Sequence, residues 1–314
     1  MIGPEEITAA LGRIAPHVRR TPVLEVAADE LGLSGPPVTL KLELAQVTGS
    51  FKPRGTTNAL LSGSVPAAGV AAASGGNHGQ AVAWAARRFG HTATVFVPEM
   101  TSPTKRARIA AYGAEVRVVG EAYADAQLAC DRFVAETGAL RIHPYDEPAV
   151  VAGQGTVGLE LAEQAPGLGA VLVAVGGGGL IGGVASWYRG RARVVSVEPE
   201  LSACLAAARA AGGPVAVEVA GVAADSLGAR QVGELAWEAS SRWVDEAVKV
   251  TDASIVAAQH WLWEHCRVAA EPGGATALAA LLSGAWWPAG GEAVGVIVCG
   301  GNVDPATLAA GVGG

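Results

Sequence analysis

Residues 170–188, AVLVAVGGGGLIGGVASWY, run from a short apolar stretch through four consecutive glycines into a helix-like segment. The first six residues are all apolar and three of them are valine, which predicts a buried strand of a parallel sheet. Four residues without Cβ are costly in unfolded-state entropy, so they indicate a very close approach of backbone to a bound group, for which phosphate is the best candidate. The stretch therefore predicts an α/β unit with a ligand beyond the carboxyl end of its strand.

The same alternation of strand-like and helix-like segments extends along the chain of 314 residues. It predicts parallel sheets covered by helices, in three αβα layers, with two lobes that interleave in sequence. The strand-like runs are VTLKLEL, TATVFV, AEVRVV, AVLVAV, RVVSVE and AVGVIV, and the helix-like runs are NHGQAVAWAARRFG, SPTKRARIAAYG, AYADAQLACDRFVAETG and DASIVAAQHWLWEHC.

The composition and charge of the chain argue against several classes of protein. A net charge of −7 and scattered arginines offer no basic face for a polyanion, so a nucleic-acid partner is not expected. No apolar run approaches the roughly 20 residues that span a bilayer, and the N-terminal segment lacks the order of a signal peptide. The four cysteines contain no C-x-x-C pair, which predicts reduced thiols. We expect a soluble cytoplasmic protein without a membrane partner.

Two further loops follow predicted strands. In TGSFKPRG, residues 48–55, Lys52 is one of four lysines in the chain, and Pro53 suits the first turn of a helix. The simpler interpretation is a turn with a surface lysine. In AAASGGNHGQAVAWAA, residues 71–86, Ser74 to Asn77 precede an amphipathic helix, whose N–H groups would hold a carboxylate. The alternative there is a helix capped by Ser74 or Asn77.

A fourth segment, AVGVIVCGGNVDP, places Cys299 at the carboxyl end of a strand, where it is either a site residue or a buried thiol that packs as a small hydrophobe. A rival interpretation concerns the glycine stretch itself. Gly177, Gly179 and Gly182 satisfy G-x-G-x-x-G, and Glu198 follows about 20 residues later, as in enzymes that bind a nicotinamide dinucleotide. That interpretation leaves the lysine turn and the asparagine loop without a purpose.

Together, a turn lysine, a phosphate cradle, a carboxylate-binding loop and a weak polar group are the parts needed to bind pyridoxal 5'-phosphate. The chain resembles pyridoxal-phosphate enzymes of fold type II, most closely the serine/threonine dehydratases and serine racemase. Seven motifs in unbroken order, between about residues 5 and 305, carry this resemblance: SFKPRG, ASGGNHGQA, HPYDEPAVVAGQGT, VGGGGLIGG, VEPE, AEPGGA and CGGNVD.

The resemblance implies a role for each candidate residue. Lys52 is the Schiff-base lysine, Asn77 contacts the ring hydroxyl of the cofactor, and Cys299 faces its pyridine nitrogen, while Phe51 helps to enclose the ring. The cofactor phosphate is held by Gly176, Gly177, Gly178, Gly179 and Leu180. The substrate carboxylate is expected against Ser74, Gly75, Asn77 and His78.

The resemblance also implies a large cofactor-binding domain, residues 1–47 and 149–314, and a small mobile domain, residues 48–148, with the cofactor in the cleft and a homodimer as the assembly. The implied reaction is β-elimination of a small β-hydroxy amino acid such as L-threonine or L-serine to a 2-oxo acid and ammonia. Serine racemase and other fold type II lyases or β-replacement enzymes remain alternatives. The NAD-binding oxidoreductase is a more distant one.

The sequence departs from the family pattern in three places. Gly75 stands where the racemases carry a second serine, so racemisation is not expected. Glu198, Ser202 and Cys204 occupy the positions of a divalent-cation site whose aspartate is absent, and a soft thiol suits magnesium poorly. We therefore expect no bound metal. The segment around Asp225 departs from the usual ADG pattern and has no assigned role.

Overall fold

Ten strands form two separate sheets in the computed structural model, which describes residues 2–304. Their bounds are β1 Val23–Val26, β2 Val38–Leu42, β3 Val70–Ala73, β4 Ala93–Val97, β5 Glu115–Val118, β6 Leu140–Arg141, β7 Ala170–Ala174, β8 Arg193–Pro199, β9 Glu246–Val250 and β10 Val294–Val298. The larger sheet has the order β1-β2-β10-β7-β8-β9, and the smaller one has the order β5-β4-β3-β6.

Twelve α-helices cover the sheets within the described residues. They are α1 Pro4–Ile14, α2 Lys52–Leu61, α3 Asn77–Arg88, α4 Pro103–Ala111, α5 Tyr123–Thr137, α6 Pro148–Gln164, α7 Gly179–Tyr188, α8 Cys204–Ala211, α9 Ala224–Leu227, α10 Glu234–Trp243, α11 Asp252–Cys266 and α12 Pro272–Leu282. None of these helices combines the length and the apolar character needed to cross a membrane.

The predicted α/β class and all six strand-like runs are confirmed. They form β2, β4, β5, β7, β8 and β10, and the four helix-like runs form α3, α4, α5 and α11. One feature differs from the prediction of parallel sheets, because β1 pairs with β2 antiparallel. The connection between these two strands contains only a short 3-10 helix, so the chain turns back beside itself instead of crossing over the sheet.

Helices α6 and α7 pack closely against each other beside the larger sheet. Helices α6 and α7 meet at Gly155 and Gly183, where a Cβ on Gly183 would lie 2.4 Å from the backbone nitrogen of Gly155. This approach holds the start of α7 in a fixed place beside β7, which is fully buried. Glycine at position 183 is therefore required for helix packing.

The smaller sheet, with α3, α4 and α5, forms a separate layered unit with its own apolar core. Helix α2 packs against both α3 and α6, so it lies where the two units meet. The division into residues 48–148 and the remainder stays a prediction. Residues 305–314 of the predicted large domain lie outside the described residues.

Candidate active site

One cavity lies between the two units, where β7 and β10 end and several helices begin. It encloses about 490 Å³ of space including its open mouth. The first residues of α2, α3 and α7 line it, as does the second residue of α12, and helix N-termini attract anions. The lining residues are Phe51, Lys52, Asn77, Tyr145, Ala174, Gly176, Gly177, Gly178, Gly179, Leu180, Ser226, Leu227, Glu271, Gly273 and Cys299.

The glycine loop forms one wall of this cavity. Gly178 has φ +90°, a conformation that favours glycine, and a Cβ on Gly177 would lie 2.3 Å from the ring of Tyr145. Within the described part of the chain, the backbone N–H groups of residues 176–180 donate to no protein acceptor. Free N–H donors at the start of α7 are the arrangement that a phosphate group needs.

Lys52 enters the cavity from the first residue of α2. Its Nζ donates a hydrogen bond to the Pro144 carbonyl at 2.7 Å and lies 5.1 Å from the centre of the Phe51 ring. Burial lowers the pKa of Lys52 to about 8, although Cys299 and Glu271 act in the opposite direction. Near pH 7 the amine is still mostly protonated, but the neutral form that a nucleophile or base needs is far more populated than in an ordinary lysine.

Asn77 begins α3 and connects the two units across the cavity. Its Nδ2 donates to Glu271 Oε1 at 2.6 Å, and its Oδ1 accepts from Asn302 Nδ2 at 2.7 Å. Glu271 precedes α12 and is 7% exposed, and burial raises its pKa to about 7. A buried carboxyl group thus holds the amide on which the cofactor contact is predicted to depend.

Cys299 follows β10 and is buried in the opposite wall. Its Sγ contacts the Gly273 carbonyl at 3.3 Å. Burial raises the pKa of the thiol to about 12, and the neighbouring Glu271 adds to this effect. The group is accordingly a neutral, weak hydrogen-bond partner near pH 7.

The remaining predicted substrate residues lie just outside this cavity. Ser74 Oγ accepts the Gly76 N–H at 3.2 Å, as expected for a tight turn before α3. His78 is buried with Nε2 2.9 Å from the Ile142 carbonyl, and burial lowers its pKa to about 3. A Cβ on Gly75 would lie 2.6 Å from the hydroxyl of Thr101. Their predicted contact with a substrate carboxylate stays a prediction.

Two of the three residues of the degenerate cation site, Glu198 and Cys204, are hydrogen-bonded within the protein, whereas the buried Ser202 hydroxyl has no partner among the described residues. Glu198 accepts the N–H groups of Leu205 and Ala206 at 2.8 Å each, at the start of α8. The Cys204 thiol donates to the Gly176 carbonyl at 3.1 Å, which connects α8 to the glycine loop. Burial raises the pKa of Glu198 to about 7. Among residues 2–304, no cluster of three metal-ligating side chains occurs.

Several residues of the site were not assigned from the sequence. Tyr145, Ser226, Leu227, Glu271 and Gly273 line the cavity without a predicted role. Tyr145 and Glu271 lie inside the quoted motifs HPYDEPAVVAGQGT and AEPGGA. The motifs therefore included both residues but did not show that their side chains line the cavity. Asp225, also unassigned, forms an ion pair of 2.7 Å with Lys105 across the two units.

These residues fit a pyridoxal phosphate, because free N–H donors, a lysine with a lowered pKa and a neutral thiol share one cavity. When bound, that cofactor supplies an electron sink for the carbon atoms of an attached amino acid. Fold and site thus define a pyridoxal-phosphate-dependent enzyme, and the family described as pyridoxal-phosphate dependent enzyme matches residues 14–300. The chain belongs to this family, which sets the dinucleotide alternative aside.

Individual relatives and a solved structure resemble this chain over almost its whole length. A putative threonine dehydratase of Sinorhizobium fredii is 42% identical over 96% of this chain and 92% of its own length. The phenylserine dehydratase of Ralstonia pickettii is 39% identical over 96% and 94%. Among solved structures, maize serine racemase superposes with a TM-score of 0.92 at 34% identity, covering 99% of this chain and 96% of that one.

Proposed function

We propose that this chain is a pyridoxal-phosphate-dependent ammonia-lyase that converts a small β-hydroxy amino acid, L-threonine or L-serine first, to a 2-oxo acid and ammonia. The observation that carries the proposal is the placement of the Lys52 amine, with its lowered pKa, on the cavity that the glycine loop and Asn77 also line. Two dehydratases among the relatives support the reaction type.

Different residues of the protein would have different roles in this reaction. Lys52 would hold the cofactor, and its neutral amine would remove the Cα proton of the substrate. The N–H groups of the glycine loop and the start of α7 bind the phosphate, and the loop before α3 orients the substrate carboxylate. The substrate then loses its β-hydroxyl as water, and hydrolysis of the resulting enamine releases ammonia and the 2-oxo acid.

Elimination is favoured over racemisation by the surroundings of Gly75. Racemisation needs a second proton donor on the face opposite Lys52. Gly75 has no side chain, and the Thr101 side chain already fills the room that a side chain there would need. The likeness to maize serine racemase keeps racemisation as the second candidate.

To test this proposal, the cofactor-loaded enzyme is incubated with L-threonine and, in a second assay, with L-serine. We expect 2-oxo acid and ammonia in equal amounts, and recovered serine that is still the L-enantiomer. Lys52→Ala is the control without the base. D-serine that accumulates as fast as pyruvate would establish the racemase. Turnover only with an added thiol or a phosphorylated substrate would establish a β-replacement enzyme or a synthase.

We further propose that residues 48–148 move as a small domain, that two copies form a homodimer, and that the enzyme works in the cytoplasm. The smaller sheet has its own core, which supports a separate domain. Cys130, Cys204, Cys266 and Cys299 are unpaired, which favours a reducing compartment. Light scattering of the purified protein tests the dimer, and a mass of one chain would contradict it.

A further inference from the structure

A chain of three hydrogen bonds runs from the loop before Lys52 to the cavity. Asn302 Nδ2 donates to the Thr48 carbonyl at 2.8 Å and to Asn77 Oδ1 at 2.7 Å. Asn77 Nδ2 in turn donates to Glu271 Oε1 at 2.6 Å. Thr48 and Glu271 are buried, so water competes weakly for these contacts.

The first bond determines the direction of the rest. A backbone carbonyl can only accept, so Asn302 has to present its NH2 group to Thr48. The second N–H of that group then meets Asn77, which has to present its oxygen. The NH2 group of Asn77 is thereby directed to Glu271 and to the cavity, and its second N–H has no acceptor among residues 2–304.

The surrounding glycines leave room for the side chains of Asn77, Glu271 and Asn302. Gly49 has φ +78°, and a Cβ there would lie 2.6 Å from Asn302 Oδ1. A Cβ on Gly300 would lie 1.9 Å from Glu271 Oε1 and 3.4 Å from Asn77 Nδ2. Backbone bonds from Gly301 to Gly49 and from Glu271 to Gly300 lock the three loops together. Both amides are therefore packed as well as hydrogen-bonded.

We propose that Asn302 is a positioning residue that fixes the orientation of the Asn77 amide, so that an N–H of Asn77 always faces the cofactor's ring hydroxyl. Glu271 is the fixed acceptor at the other end of the chain of hydrogen bonds. Without Asn302, only the bond to Glu271 keeps the Asn77 amide in this orientation. An amide that turns over presents its oxygen to the cavity, where it would repel an anionic ring oxygen. This inference deepens the proposed function, since it rests on the cofactor contact of Asn77.

Asn302→Asp tests the proposal with little change in shape. The carboxylate faces the Thr48 carbonyl and can only accept from Asn77, so the Asn77 amide should turn over. We expect the dissociation constant of pyridoxal phosphate to rise about tenfold or more and the absorption maximum of the bound cofactor to move, both measured without substrate. Asn302→Ser, which keeps one donor, should recover much of the affinity and the original band.

Asn58→Asp is the matched control. Asn58 is buried, whereas Asn302 is half-buried, and the Asn58 amide also makes two bonds, to Ala149 and from Arg13, away from the cavity. It should lower the melting temperature and leave the band in place. If Asn302→Asp does not fold, Asn302→Ala gives the same two readouts. An unchanged dissociation constant and band in folded Asn302→Asp or Asn302→Ala would overturn the proposal, and the result does not depend on whether any amino acid is turned over.

Discussion

At the scale of single residues, the chemistry of the ring nitrogen should depend on Cys299. Its thiol is buried and neutral, so it cannot keep a pyridine nitrogen protonated as a carboxylate would. We expect Cys299→Ser to retain most activity, because a hydroxyl is also a neutral partner. Cys299→Asp should slow elimination and shift the absorption bands that form with substrate. Full activity with unchanged spectra in Cys299→Asp would show that Cys299 does not face the ring.

Gly75 offers a second test at the residue scale. Gly75→Ser should lower stability by about 1–3 kcal/mol, because its Cβ would crowd the buried Thr101 side chain. The double variant Gly75→Ser with Thr101→Ala should recover part of that loss and produce some D-serine. Gly75→Ala with Thr101→Ala is the matched control without a hydroxyl. Thermal melts and chiral analysis measure both effects, and an unimpaired single variant would refute the crowding argument.

At the scale of elements, strands in runs rich in β-branched residues could be predicted from the sequence, whereas β1, β6 and β9 were not. β7 and β10 are fully buried and contain only apolar residues and glycine, so their patterns were clear. β6 has two residues, and β9 alternates between half-buried and exposed positions before its buried last residue, at the edge of its sheet. Their pairing depends on neighbours that are distant in sequence, as does the antiparallel pairing of β1.

The position of α2, and with it Lys52, depends on a buried ionic cluster. The Arg54 guanidinium makes 2.8 Å bonds to both Glu43 and Glu160, and Lys41 Nζ lies 2.9 Å from Glu160. Burial alone would disfavour the charge, but the two carboxylates outweigh it and raise the pKa of Arg54. The cluster joins α2 to α6 and to the segment after β2. Sequence patterns did not reveal it, because its members are up to 119 residues apart.

Removing the Arg54 guanidinium should therefore destabilise the folded protein. Arg54→Met leaves two buried carboxylates with too little positive charge, and we expect a loss of about 3–5 kcal/mol in the free energy of unfolding. Arg20→Met is the control, because its ion pair with Glu163 is exposed and should contribute less than about 1 kcal/mol. Denaturant titrations of both variants provide the comparison. Similar small losses would show that the cluster does not hold α2.

At the scale of the whole molecule, the enzyme should not need a divalent cation. Glu198 already accepts two backbone N–H groups, and the Cys204 thiol bonds to the glycine loop instead of presenting a charged oxygen. We expect activity and melting temperature to be nearly unchanged in EDTA. Cys204→Asp should make both respond to added magnesium. A large loss in EDTA that magnesium restores would contradict this prediction.

For the molecule as a whole, some residues of the site could be predicted from the sequence and others could not. Lys52, Asn77, the glycine loop and Cys299 could be predicted because each follows a strand with a recognisable pattern, and the structure brings them to one cavity. Glu271 and Asn302 could not be assigned, since their importance lies in hydrogen bonds to a helix about 200 residues away in sequence. Such contacts become visible only when the two units are packed together.

The most direct test of the account is to reduce the purified, cofactor-loaded protein with borohydride and to map the labelled peptide by mass spectrometry. We expect the cofactor to be attached covalently to Lys52 alone. Lys41 is buried in the ionic cluster, and Lys105 and Lys249 do not line the cavity. Lys52→Ala should carry no label, whereas Lys249→Ala should be labelled as the parent protein is. Label on another lysine, or none in a protein that retains full activity, would contradict the central claim.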